Sequence, residues 1–253
     1  MQTAILHKLR EIEEKHAIKL LFSCESGSRG WEFPSPDSDY DVRFIYARPF
    51  NSYLSVAERV DNLQFPINDE LDVYGWDIRK VLKLVRKSNT TPFEWLQSPI
   101  IYLQEEGFRD ELWTLCQDYF DARTNIHHYL GIAKGALDTM ENGNEIKIKK
   151  LFYVLRPLLS AKWCLEKNGI APMTIGPLMD LLPGDLHRQV TDLIQLKAGS
   201  AESFVIKISE SLKTYISDEF ARVGEASKAF QKKYFKTEGL DAFFVKTIKR
   251  YDY

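Results

Sequence analysis

Between residues 18 and 47 the chain reads as an apolar run, a Gly-Ser pair, a polar loop and two aspartates that open a second apolar run. Ile18-Lys-Leu-Leu-Phe-Ser-Cys24 precedes Gly27-Ser28-Arg29, and Asp39-Tyr40-Asp41 leads into Val42-Arg43-Phe44-Ile45-Tyr46. The pattern predicts strand, tight turn, loop and strand. Residues i and i+2 of a strand share a face, so Asp39 and Asp41 aim two carboxylates at one point. Such a pair repels itself, and a divalent cation offsets the repulsion. Oxygen donors that leave room for water and phosphate suit Mg²⁺. The segment therefore points to metal-dependent phosphoryl or nucleotidyl transfer.

The surrounding sequence supplies the rest of a small mixed α/β unit. Ile5, Leu6, Leu9 and Ile12 recur at helical spacing, which predicts an amphipathic helix over residues 3–15. Residues 71–76 read as a third strand, preceded by a turn at Asn68-Asp69-Glu70. A helix over 78–86 follows, with Asp77 at the N-cap position. From about residue 107 the periodicity becomes helical throughout, with runs at 146–165, 175–182, 185–196 and 201–222. Pro157 is expected to kink or restart the first of these. The tail, 243–251, reads either as a short docked helix or as a mobile end. The expected class is α+β. A mixed-sheet domain spans 1–106, and an all-helical domain spans 107–253.

Composition narrows the partners. A net charge of -2 gives no global basic field, so any nucleic-acid contact has to come from a local patch. Cys24, Cys116 and Cys164 show neither metal-ligand spacing nor a disulfide framework, which fits a reducing, cytoplasmic setting. The N-terminal stretch is amphipathic and does not read as a signal peptide. No stretch approaches the roughly 20 apolar residues of a membrane span.

The chemistry follows from the residue types. Gly27 permits a tight turn and close approach of a phosphate to the backbone. Ser28 offers a hydroxyl and an N–H to a triphosphate oxygen, and Arg29 can neutralise the phosphate chain. Asp39 and Asp41 would hold Mg²⁺ on the phosphates, and a third carboxylate would complete a two-metal site. Asp72 on the third strand is one choice for it and Asp77 the other. Tyr153 and Arg156 share a helix face, with Lys150 one turn earlier, and such a face can stack a base and hold triphosphate.

Gly27-Ser28 followed by Ser38-Asp39-Tyr40-Asp41-Val42-Arg43-Phe44 resembles the DNA polymerase-β-like nucleotidyltransferase superfamily. Within it, residues 27–44, 71–80 and 92–102, then His127-His128-Tyr129-Leu130 and residues 149–159, resemble the predicted nucleotidyltransferases of the RNA-repair-pathway branch. The likeness spans roughly residues 20–180. It departs at Gly30-Trp31-Glu32, where relatives often have Ala-Trp-Gly, and at residues 89–92. The resemblance implies a nucleotidyltransferase-type catalytic domain over 1–106, a helical domain over 107–253 that closes the nucleotide cleft, and Asp72 as the third acid. It also implies transfer of a nucleoside monophosphate from an NTP to an acceptor hydroxyl, with release of pyrophosphate. The implied acceptor is an RNA 3′ end. A small molecule such as an aminoglycoside, a protein hydroxyl, or a non-catalytic nucleotide-binding role are the alternatives. Lys80, Glu94 and Tyr102 also fall in matching segments. His127 and His128, as neighbours on a helix, point apart and are not expected to ligate one metal. Trp31, Trp76 and Trp95 are expected in the core.

Overall fold

The computed structural model describes residues 1–66, 70–137 and 145–252. In chain order the elements begin with α1 (Gln2–His16), β1 (Lys19–Glu25), α2 (Gly27–Gly30), β2 (Tyr40–Ala47), α3 (Phe50–Tyr53), β3 (Asn62–Gln64) and β4 (Leu71–Asp77). Next come α4 (Ile78–Arg86), α5 (Thr90–Leu96), β5 (Ile101–Gln104), α6 (Phe108–Gln117), α7 (Ala122–Leu137), β6 (Glu145–Lys147) and α8 (Ile148–Lys167). The chain continues with α9 (Ile175–Met179), α10 (Gly184–Ala198), β7 (Val205–Lys207) and α11 (Glu210–Ala226). It ends with α12 (Glu238–Arg250). The turn expected at Asn68-Asp69 lies outside the described residues.

Two compact units emerge. One comprises residues 1–27, 39–119 and 234–253, and the other residues 28–38 and 120–233. The first unit is an α+β layer structure on a five-stranded sheet of order β3-β4-β2-β1-β5. Strands β2 and β4 run parallel, and the other neighbours are antiparallel. Ile5, Leu9 and Ile12 line one stripe of α1. They pack with Ile18, Leu20, Val42, Phe44, Tyr46 and Val73 from the sheet. Val42, Phe44 and Tyr46 alternate along β2, so the sheet face under α1 is apolar and the other face is left to Asp41 and Arg43. Asp77 caps α4 as the sequence suggests, its side chain accepting from the Arg79 N–H. Trp76 stacks on the buried Trp95 with ring centroids 4.2 Å apart.

The second unit is built on α7 and α8, whose Ile126, Tyr129, Phe152, Leu155 and Leu159 are fully buried or nearly so. Phe33, from the loop between the Gly-Ser pair and the aspartates, stacks on Phe152 at 4.9 Å. That burial is why residues 28–38 belong with the helices. Pro157 sits inside α8 without ending it.

Three readings of the sequence need correction. The second half is not wholly helical, because β6 and β7 pair antiparallel, with Ile146 opposite Ile206. Val205-Ile206-Lys207 alternates exposed, buried, exposed, a strand pattern inside the stretch expected as one helix over 201–222. The helix there is α11, capped by the Ser209 hydroxyl. The tail forms α12 and belongs to the first unit, and α6 packs there too, on α5 and β1. The units thus part at 119/120 and not at 106/107. Among the described residues no helix is long and apolar enough to cross a membrane.

Candidate active site

The parallel register of β2 and β4 places Asp41 directly beside Asp72. In-register residues of adjacent strands leave the sheet on the same face. Their carboxylates converge on one atom: Arg43 Nη2 lies 2.6 Å from Asp41 Oδ1 and 2.7 Å from Asp72 Oδ2. Two unit charges 4 Å apart near a protein surface interact by about 4 kcal/mol. A cation between the two acids is therefore what allows them to stay close.

Backbone contacts fix Asp41. Its N–H donates to Glu25 Oε1 at 2.7 Å, and its carbonyl accepts from the Ser26 N–H at 2.8 Å. Glu25 is fully buried, and its other oxygen accepts from the Tyr102 hydroxyl. Gly27 has φ +57°, and a β-carbon there would fall 1.9 Å from Asp41 Oδ2. The turn is glycine because Asp41 fills the space beside it. Cys24, one strand over, is buried, and burial pushes its thiol pKa up.

Asp39 precedes β2 and is half-buried. Among the described residues no three His, Cys, Asp or Glu groups form a ready metal-binding cluster. Asp41 and Asp72 are brought together through Arg43. Asp77 stands elsewhere. It is five residues beyond Asp72, hence on the opposite face of β4 and roughly 16 Å along it. Its carboxylate accepts from the Arg79 N–H at 2.8 Å and from the Tyr53 hydroxyl at 3.1 Å. Burial raises its pKa, against the effect of those hydrogen bonds.

The expected phosphate and base contacts lie in the helical unit. Ser28 is buried and donates to Ser38 Oγ at 3.0 Å, which in turn donates to Glu202 Oε1 at 2.8 Å. Glu202 also pairs with Lys149. Arg29 Nη2 donates to the Ser38 carbonyl at 2.7 Å. Arg156 is buried, its Nε donating to the Met173 carbonyl at 2.9 Å and its guanidinium lying 4.5 Å from the Trp31 ring centre. Tyr153 meets the same Trp31 edge-on, and Lys150 is half-buried. Trp31 is the hub of this cluster. His127 is exposed, while His128 is half-buried against Tyr129. Lys80 pairs with Asp61 at 3.0 Å, and Glu94 is buried in α5.

Four residues of these networks went unnoticed in the sequence. Arg43 stood inside the motif, two residues from Asp41, where strand alternation alone puts it on the acid face. Glu25, Lys197 and Glu202 gave no local signal. Lys197 is fully buried, donates to Ser35 Oγ at 2.9 Å, and lies over Phe33. Burial depresses its pKa.

The donor chemistry fits Mg²⁺. Two carboxylates already hold a cationic atom between them, Arg43 engages one oxygen of each, and all donors are hard oxygens.

A solved nucleotidyltransferase-like protein from Exiguobacterium sibiricum 255-15 aligns over 98% of this chain and 81% of its own, at 11% identity and a TM-score of 0.32. A likeness of that size leaves the fold to be argued from its own strand order. The Bacillus subtilis (strain 168) protein "Uncharacterized protein YcgL" is 36% identical over 253 residues, covering 98% of this chain and 97% of that relative. The sequence also matches, over residues 1–246, the family described as RlaP, RNA repair pathway DNA polymerase beta family. With the Gly-Ser turn and the strand-borne acids beside it, the match makes this chain a member of the RNA repair pathway DNA polymerase beta family.

Proposed function

We propose that the protein is a Mg²⁺-dependent nucleotidyltransferase that moves a nucleoside monophosphate from an NTP to the 3′ hydroxyl of an RNA, releasing pyrophosphate. The observation that carries this reading is the in-register convergence of Asp41 and Asp72. Family membership supports the choice of RNA.

Asp41 and Asp72, with Asp39, would hold Mg²⁺. When bound, the ion supplies positive charge at the transferring phosphoryl group. The acceptor oxygen forms a bond to the α-phosphorus, and the bond from that phosphorus to the bridging oxygen breaks. The electron pair leaves with pyrophosphate, and the acceptor proton passes to Asp72. Catalysis then lies in positioning and charge stabilisation, as in phosphoryl transfer generally. Glu25 and Tyr102 fix the main chain of Asp41 so that its carboxylate does not wander. Gly27 leaves Oδ2 of Asp41 its space. The candidate contacts for the phosphate chain, Ser28 and Arg29, and for the base, Lys150, Tyr153 and Arg156, all belong to the second unit.

The test supplies each α-³²P-labelled NTP with RNA ending in a 3′ hydroxyl, RNA ending in a 3′ phosphate, bulk protein, or an aminoglycoside. Label should enter only the 3′-hydroxyl RNA, and Asp41→Asn and Asp72→Asn should both abolish it. Label on protein or aminoglycoside would replace the acceptor. Wild-type transfer by either variant would remove the acid pair from the mechanism.

A further inference from the structure

The acid pair carries its own cation. Arg43 lies two residues beyond Asp41 on β2 and therefore leaves the same face of the sheet. Nη2 reaches both carboxylates, at 2.6 and 2.7 Å. Nη1 donates to the main-chain carbonyls of Val42 at 3.2 Å and Asp72 at 3.0 Å. Four hydrogen bonds from two nitrogens lock a planar group in one orientation, which a lysine ammonium would not reproduce. The Arg43 side chain is only 15% exposed, so solvent screens these contacts weakly.

We propose that Arg43 is a positioning residue, a resident counter-cation that keeps Asp41 and Asp72 assembled before a divalent ion arrives. This rests on the reading of those acids as the metal site. One oxygen of each carboxylate is committed to Arg43, Oδ1 of Asp41 and Oδ2 of Asp72. The oxygens that Arg43 does not hold are Oδ2 of Asp41, beside Gly27, and Oδ1 of Asp72. Two consequences follow. The sheet end at β2 and β4 needs no divalent ion for its stability. Metal binding is weaker than at a bare acid pair, because a positive charge already sits there.

Mn²⁺ is the probe, titrated by calorimetry and by electron paramagnetic resonance, with thermal unfolding in EDTA and in excess Mg²⁺ as a second readout. Wild type should stay folded to nearly the same temperature in EDTA, gaining in Mg²⁺ only the small rise that mass action gives a weakly held ion. Arg43→Gln should unfold earlier in EDTA and recover with Mg²⁺, and should bind Mn²⁺ about tenfold more tightly, since one repelling charge is gone. Arg43→Lys keeps the charge but not the fork. It should regain most of the stability in EDTA and bind Mn²⁺ close to wild type, and it serves if Arg43→Gln fails to fold. Unchanged or weaker Mn²⁺ binding by Arg43→Gln, or equal unfolding temperatures for that variant in EDTA and Mg²⁺, would overturn the proposal. If Arg43→Gln will not fold, Arg43→Lys unfolding much earlier in EDTA, or binding Mn²⁺ unlike wild type, would do so. Asp41→Asn separates the two levels. If it binds Mn²⁺ like wild type, the metal-site reading fails. If it loses Mn²⁺ while Arg43→Gln leaves the affinity unchanged, only the role of Arg43 fails.

Discussion

A β-carbon on Gly27 would stand 1.9 Å from Oδ2 of Asp41, so the turn and the acid are built around one another. Gly27→Ala has two faults: the clash, and a backbone at φ +57° that L side chains rarely adopt. Strain of the second kind costs roughly 1–3 kcal/mol. Asp41 would have to turn its carboxylate away to admit the methyl group. Expected are a lowered unfolding midpoint in urea and, at temperatures where the variant stays folded, loss of both Mn²⁺ binding and nucleotide transfer.

Gly75→Ala provides the contrast. Its added β-carbon would lie 2.1 Å from the Phe44 ring, on the neighbouring strand. Phe44 belongs to the core beneath α1, on the face away from the acids. Overpacking such a core costs about 1–3 kcal/mol. The variant should lose stability by that amount in urea unfolding, yet bind Mn²⁺ with wild-type affinity while folded. The pair of glycines thus separates damage to the fold from damage to the site.

What the sequence revealed and what it hid divides along physical lines. Strand alternation and helix periodicity are local, so β1, β2, β4, α1 and α4 could be read to within a residue or two. The convergence of Asp41 with Asp72 needed the parallel register of β2 and β4, and no local pattern states which strands pair. Glu25 and Glu202 act through contacts across 16 and 164 residues of chain, beyond any spacing rule. Short elements such as β6 and β7 hold only a buried isoleucine each between exposed neighbours, too brief a signal against a helical background. Arg156 falls between these cases. Its spacing from Tyr153 is legible, but its burial over Trp31 is set by a loop more than a hundred residues earlier.

Asp77 and Asp72 should behave as opposites under substitution. Asp77 caps α4 and accepts from the Tyr53 hydroxyl, both in a buried setting. Loss of an N-cap costs about 0.5–2 kcal/mol. Asp77→Ala should therefore lower stability in urea unfolding by about that amount while folded molecules retain label transfer. Asp72→Asn should do the reverse, abolishing transfer at nearly unchanged stability in the presence of Mg²⁺. Loss of transfer in folded Asp77→Ala would mean that the third acid has been misassigned.

Lys197 gives a prediction with a sign. It is fully buried, burial is the main cause of its lowered pKa, and Lys149 adds to the lowering while Glu202 and Asp37 oppose it. The ordinary lysine value is 10.5. Between the depressed folded value and 10.5 the unfolded chain binds the proton more readily than the folded chain, so folding is favoured as pH rises through that window. Below the folded value the burial penalty is present in full. Lys197→Met removes the titrating group and fills a similar volume with apolar atoms. Urea unfolding of both proteins at several pH values up to 10.5 should show wild type gaining stability relative to Lys197→Met as pH rises. The gain reflects the proton alone, because the hydrogen bond to Ser35 and the contact with Phe33 are lost in the variant at every pH. A difference between the two proteins that stays constant across the window would show that Lys197 keeps its ordinary pKa in the fold, and that the Ser35 hydroxyl and nearby Glu202 together compensate its charge.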